Sequence, residues 1–172
     1  MSSGSLVPDK LAVNLALDTI NTIISKSPQS TIILDGFPRT VQQAESISLK
    51  YPNFFAINIM LKRSVAIEKL AGRVTCSKCK KDWNVSNILY DGYRMPSLLP
   101  TKEKCPNKLD DCSQYFEKRA DDNPDIIGKR FDEFNEKTAP LIDYYRKRKM
   151  LREFDVKRGI DDADDLLKLM LS

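Results

Sequence analysis

The sequence predicts an α/β fold, a parallel sheet with helices on both faces, interrupted by a small inserted subdomain. Three observations carry this. Helical periodicity alternates with short continuous apolar runs, the pattern of strands covered on both faces. Between Val74 and about Glu117 that texture stops, and all four cysteines and the single tryptophan fall there. The 172 residues are 41% hydrophobic and 30% charged, which suits one buried core under a charged surface.

The first element is a helix in LVPDKLAVNLALDTINTII, entered after Pro8 and capped by Asp9, with Val13, Leu17, Ile20 and Ile24 on one stripe. STIILD is a short apolar run ending in Asp35, read as a strand buried on both faces. TVQQAESISLKY reads as a helix and FFAINIML as a second buried strand. SVAIEKLAGR is a helix stopped by Gly72. After the insert, NPDIIGKRFDEFNEKT returns to helix. Asn123 caps it, Pro124 takes the first helical position, and Ile127, Phe131 and Phe134 form its stripe. Pro140 breaks or kinks that helix, and LIDYYRKRK continues it. LREFDV is a third strand, and DDADDLLKLML closes the order with a helix whose acidic start suits its dipole. The expected division is a core, 1–73 with 118–172, and an insert, 74–117.

Composition excludes several chemistries. There is no histidine, so Ser-His-Asp and Cys-His catalysis and Cys2His2 metal sites are ruled out. Net charge is +4, a mild excess. Arginines stand beside glycine or aspartate in LDGFPR, AGR, EKRADD and GKR, a placement that suits small anions better than a polymer, so no nucleic-acid partner is expected. No apolar run approaches the ~20 residues of a membrane span. MSSGSLVPDK lacks the basic start and apolar core of a signal peptide. The expectation is a soluble, monomeric intracellular protein with no membrane partner, the cytoplasm favoured over the mitochondrion.

The turn DGFPR at the end of STIILD has a chemical logic. A carboxylate ending a strand commonly holds a metal, often through water. Gly36 lets a ligand approach the backbone. Pro38 fixes the turn so that Arg39 is aimed, and a guanidinium fork matches phosphate oxygens. For D-G-x-x-R alone, a structural Asp35 with an exposed Arg39 is the better reading.

The longer string changes that balance. DGFPRT with Gln43, GSLVPD ahead of it, LAGR before the insert, KRADDNPDIIGKR after it and KTAPLIDYY further on closely resemble the adenylate kinase family of nucleoside monophosphate kinases. The likeness runs in order from about Met1 to the end. It implies a P-loop-kinase-like parallel sheet with flanking helices, an inserted zinc-binding lid, and reversible phosphoryl transfer from ATP to AMP with Mg²⁺. Such chemistry needs positioning and charge neutralisation more than covalent help. By resemblance, Arg39, Arg73, Arg119, Arg130 and Asp35 form the catalytic set, Asp35 holding Mg²⁺ through its water shell. The AMP side comprises Leu6, Val7, Gly36, Phe37, Pro38, Arg39, Gln43, Arg119 and Arg130. There Arg39 would grip the phosphate, Gln43 would bond the adenine, and Leu6 and Val7 would shape the base pocket. The ATP side comprises Lys69, Arg73, Trp83 and Arg158, while Asp121 and Asp122 lie at the hinge and orient the arginines. Lys69 departs from the family, which carries an arginine stacked on the donor base, so ATP or another nucleoside triphosphate stays open as donor. Trp83 falls where the family carries a tyrosine. An aromatic contact near ATP and packing inside the insert are both open.

Cys76-Ser-Lys-Cys79 is a C-x-x-C knuckle, and Cys105 and Cys112 add two thiols at a wider spacing. Four thiolates holding a structural Zn²⁺ would organise a segment too small and polar to fold alone. Disulfides, disfavoured inside cells, and free thiols are the alternatives. The resemblance supports zinc, since some family members carry a four-cysteine knot in this lid. Asp110 or Asp111 is the substitute for Cys112 if the loop does not bring it in.

One family feature is missing from these 172 residues. None of the glycines at 4, 36, 72, 92, 128 and 159 begins G-x-x-x-x-G-K-[ST], the loop whose backbone N–H groups cradle phosphate. The expectation is a kinase incomplete at its N-terminus, nearly inactive by itself. The alternative is a non-catalytic, zinc-stabilised interaction protein derived from such a kinase.

Overall fold

The computed structural model describes residues 7–107, 111–119 and 122–171. The chain divides into two compact units, Met1–Asn58 with Lys129–Arg152, and Ile59–Gly128 with Glu153–Ser172.

In the first unit α1 spans Asp9–Lys26 and α2 spans Val41–Lys50. The expected stripe on α1 holds at Val13, Leu17 and Ile20, whereas Ile24 is exposed. Asp9 does not cap α1. Pro8 occupies the cap position with no side-chain bond, and the Asp9 carboxylate turns to residues of the next helix. Thr40 caps α2, its hydroxyl accepting the Gln43 N–H at 3.2 Å. The core joins Ala44 of α2 to Leu141, Tyr144 and Tyr145 of α5, Pro140–Lys147. The Tyr145 ring meets Phe54 and Tyr144 edge-on, with centroids 5.8 and 5.1 Å away.

The strand expected at Thr31–Asp35 does not form. The segment is irregular, and Ile33 and Leu34 are exposed. An extended run becomes a strand only when a neighbour takes its N–H and C=O groups. No strand among the described residues pairs with it. The expected FFAINIML strand does form, as β1 at Ala56–Met60, but Ile59 and Met60 are exposed rather than buried. β1 pairs with β5, Leu151–Asp155, as a two-stranded sheet. The Ala56 N–H donates to the Met150 carbonyl at 2.7 Å and the Val156 N–H to the Met60 carbonyl at 3.0 Å, a parallel progression.

In the second unit α3 spans Arg63–Ala71 and stops at Gly72. Gly72 has φ −85°, so the reason for glycine is space. A Cβ there would lie 2.7 Å from Ser86 Cβ and 2.8 Å from Ser86 N. The insert forms a three-stranded antiparallel sheet in the order β3-β2-β4, with β2 at Arg73–Cys76, β3 at Asp82–Asn84 and β4 at Phe116–Lys118. Its core is Val74, Cys76, Trp83, Cys105 and Cys112. A separate cluster joins Val65 of α3 to Ile88, Tyr93 and Met95. α6, Ala163–Leu171, follows a short 3-10 turn at Gly159–Asp162.

α4, Pro124–Glu133, begins as expected, with Asn123 Oδ1 accepting the Ile126 N–H at 2.9 Å. Of its expected stripe, Ile127 is buried and Phe134 is exposed. The break at Pro140 takes a specific form. A π-helical turn, Phe134–Thr138, inserts one residue, and α5 restarts with Pro140 at its N-terminus. Among the described residues no helix is long and apolar enough to cross a membrane.

Candidate functional site

In the first unit the DGFPRT turn is built around Arg39. Gly36 adopts φ +69°, a conformation that favours glycine, and a Cβ there would sit 3.0 Å from Arg39 Nη2. The Phe37–Pro38 peptide is cis. Arg39 is clamped at three points. Its N–H donates to Gln43 Oε1 at 2.7 Å, its carbonyl accepts the Thr138 hydroxyl at 3.0 Å, and its Nε donates to the Gly36 carbonyl at 2.7 Å. Arg39 is an exposed residue, and no carboxylate pairs with its Nη groups among the described residues. A guanidinium held by its backbone and Nε, with its outer fork open, is arranged to receive an anion.

Gln43 is 2% exposed, and both ends of its amide are engaged. Oε1 takes the Arg39 N–H, and Nε2 donates to Asp9 Oδ1 at 2.8 Å. Asp35 is exposed at the head of the turn, and Val7, just ahead of α1, is half-buried. Leu6, Asp110 and Asp121 lie outside the described residues. Arg130 is half-buried on α4 in the first unit. Sequence reasoning missed Asp9, Thr40 and Thr138 as parts of this network. Only the Pro8-Asp9 pair gave a signal, since proline cannot offer a capping side chain.

In the second unit the Arg73 guanidinium is held by Asp122 in a two-point bond, Nε to Oδ2 at 2.7 Å and Nη2 to Oδ1 at 2.6 Å. Arg119, at the end of β4, reaches Asp82 at 3.5 Å in an exposed pair. Lys69 and Arg158 line one cavity of about 150 Å³, together with Asn84, Met95, Pro96, Leu98, Gly159 and Ile160. Burial holds the Lys69 ammonium below the ordinary lysine range, against an opposing pull from Glu68. Arg158 is oriented by Asp162, whose Oδ1 accepts its Nε at 2.8 Å, and by Asp165. Burial pushes the Asp162 carboxyl up, but the N–H groups of Arg158 and Lys157 and the Arg158 guanidinium together pull it below the usual carboxylate range.

Trp83 is 5% exposed inside the insert's core, with Lys81 Nζ 4.9 Å from its ring centroid. Around it, the thiols of Cys76, Cys79 and Cys112 lie within 4.8 Å of one another. The Cys79 N–H points at Cys76 Sγ, 3.5 Å away. Cys105 is buried in the same cluster, and its thiol adjoins that of Cys112. Burial, with Cys76 and Cys105 beside it, pushes the Cys112 thiol up to about 12, while the Cys79 N–H foremost draws Cys76 down. Soft sulfur donors in a dry pocket fit a tetrahedral Zn²⁺.

The structure therefore brings the expected residues together in groups: Gly36, Arg39 and Gln43; Arg73 and Asp122; Lys69 and Arg158; and the cysteines. Comparison with known proteins gives these groups a context. The adenylate kinase profile matches residues 1–150. A GTP:AMP phosphotransferase of Plasmodium falciparum is 37% identical over 177 residues, covering 99% of this chain and 73% of that protein. An adenylate kinase of Moorella thermoacetica is 34% identical over 165 residues, covering 93% of this chain and 69% of its own. An adenylate kinase of Borrelia turicatae is 32% identical across 100% of this chain and 74% of its own. The chain belongs to the adenylate kinase family and is a phosphotransferase of that family.

Proposed function

We propose that this chain carries the acceptor-binding site and lid of a nucleoside monophosphate kinase that takes AMP as acceptor and ATP or another nucleoside triphosphate as donor. The observation that carries this is the three-point clamp on Arg39, which leaves an unpaired fork facing outward from the most family-specific turn in the sequence. In the reaction an AMP phosphate oxygen bonds to the donor's γ-phosphorus as its bond to the β–γ bridging oxygen breaks, giving two diphosphates. Arg39 would hold the acceptor phosphate in line. Arg73, Arg119 and Arg130 would neutralise charge on the transferring group, Arg73 after leaving Asp122. Asp35 would hold Mg²⁺ through water, and the metal would lower the phosphates' repulsion. Lys69 and Arg158 would meet the donor from their shared cavity, while Asp121 and Asp122 would form the hinge. Residues 74–117 would close as a lid, excluding water.

Cys76, Cys79, Cys105 and Cys112 would hold a structural Zn²⁺, which would fix the insert's short strands. Free thiols suit a reducing, intracellular setting. The 172 residues contain no G-x-x-x-x-G-K-[ST] loop, so this chain alone should turn over very slowly.

Assaying the 172-residue chain for ADP formation from ATP and AMP tests the last point, with a rate near background expected. Robust turnover would sink it. Calorimetry with AMP tests the acceptor site. Binding that Arg39→Ala abolishes is the expected result. Absence of AMP binding with zinc present would favour a zinc-stabilised interaction module instead.

A further inference from the structure

Asp9 is none of the expected ligand contacts, yet its carboxylate is the junction of the first unit's site. Oδ1 accepts from Gln43 Nε2 at 2.8 Å, and Oδ2 accepts from the Thr40 hydroxyl at 2.9 Å. These partners lie 34 and 31 residues along the chain. Thr40 is the cap of α2, and Gln43 is buried beneath the turn that carries Arg39.

Donor chemistry decides which way the Gln43 amide points. A carboxylate only accepts and a backbone N–H only donates. Nε2 must therefore face Asp9, and Oε1 must face the Arg39 N–H. With Asp9 gone, the amide keeps one anchor and can rotate. Rotation removes the acceptor from the Arg39 N–H, one of the three points that aim the guanidinium. The same carboxylate fastens the start of α1 close behind Val7. It thus joins the two sides of the expected base pocket.

We propose that Asp9 is a positioning residue for the nucleoside monophosphate site. Acting through Gln43, it aims the Arg39 turn and fixes the donor and acceptor pattern of the amide beside the base. This rests on the acceptor-site reading above.

The test is calorimetric titration of AMP into the 172-residue chain and its Asp9→Ala, Asp9→Asn, Gln43→Ala, Asp9→Ala/Gln43→Ala and Arg39→Ala variants. Asp9→Ala should weaken AMP binding about tenfold, and Asp9→Asn, which keeps one acceptor oxygen in nearly the same shape, about threefold. The double variant should bind no worse than Gln43→Ala alone, because Asp9 acts through that side chain. If Asp9→Ala does not fold, Asp9→Asn decides. AMP binding unchanged in the Asp9 variants while Arg39→Ala loses it overturns the proposal and leaves the acceptor reading standing. Losses that add in the double variant overturn it too. A parent chain that does not bind AMP, or is indifferent to Arg39→Ala, overturns both.

Discussion

Arg73 and Asp122 form a two-point ion pair in which the carboxylate side chain is 3% exposed and the guanidinium 27%. The pair links the first residue of β2 to the residue just before the Asn123 cap of α4. Its geometry is the planar fork-to-fork arrangement that arginine alone provides. Removing Arg73 takes a two-point, charge-assisted contact from a buried carboxylate. Arg73→Ala should therefore destabilise the chain by about 2–4 kcal/mol. Arg73→Ala/Asp122→Ala should recover part of that loss. Thermal unfolding of the three proteins checks this, and an unchanged midpoint in Arg73→Ala would show that water solvates Asp122 instead.

Gly72 is a packing constraint at the junction of α3 and β2. Since its φ is ordinary, Gly72→Ala adds only steric collisions, with Ser86, part of which is backbone, and with Asn84 Oδ1 at 2.9 Å. A loss of about 1–3 kcal/mol is expected in urea unfolding. Adding Ser86→Gly should relieve it incompletely, because the Ser86 nitrogen stays in place.

The pH dependence of stability carries a signature of Asp162. Its folded carboxyl lies below the ordinary value of 3.8, so the stability it contributes is present above that value and is lost as pH falls through the lower folded value. The urea midpoint should hold from about pH 7 to about pH 5 and fall below about pH 4. Asp162→Asn should flatten that acid limb. Equal steepness in both proteins would assign the limb to other carboxylates.

Zinc should accompany the purified chain. Elemental analysis is expected to find it, and a strong chelator should lower the melting temperature by loosening the Trp83 core. Cys76→Ser, Cys79→Ser and Cys112→Ser should each lose the metal, since they replace the three clustered thiols. Cys105→Ser tests the fourth ligand. Full zinc retention in that variant would remove Cys105 from the set.

Much of the fold was legible because its signals are local. The periodicity of α1, the Asn123 cap and the glycine after α3 each involve neighbours within one or two turns. Asp35, Gly36 and Arg39 were legible as a chemical unit for the same reason. What was not legible has the opposite property. Whether Thr31–Asp35 is a strand depends on a partner that the segment itself does not supply. Whether Trp83 faces a ligand or a core depends on where Cys105 and Cys112 fold back. Asp9 reads as a helix cap until Gln43 is seen beside it.

Apart from the Thr31–Asp35 segment, the sequence by itself determined the α/β order of elements, and with it the family and the residue types that make phosphoryl transfer its chemistry. Periodicity, caps and contiguous motifs are properties of neighbouring residues. Only the tertiary structure decided which charges are paired and which stay open. Arg73 is closed by Asp122, Arg39 is held with its fork free, and Gln43 is locked between Arg39 and Asp9. The bond from Gln43 to Asp9, the hold of Thr138 on Arg39 and the Arg73–Asp122 pair are set by groups tens of residues apart in the chain, which no local pattern encodes.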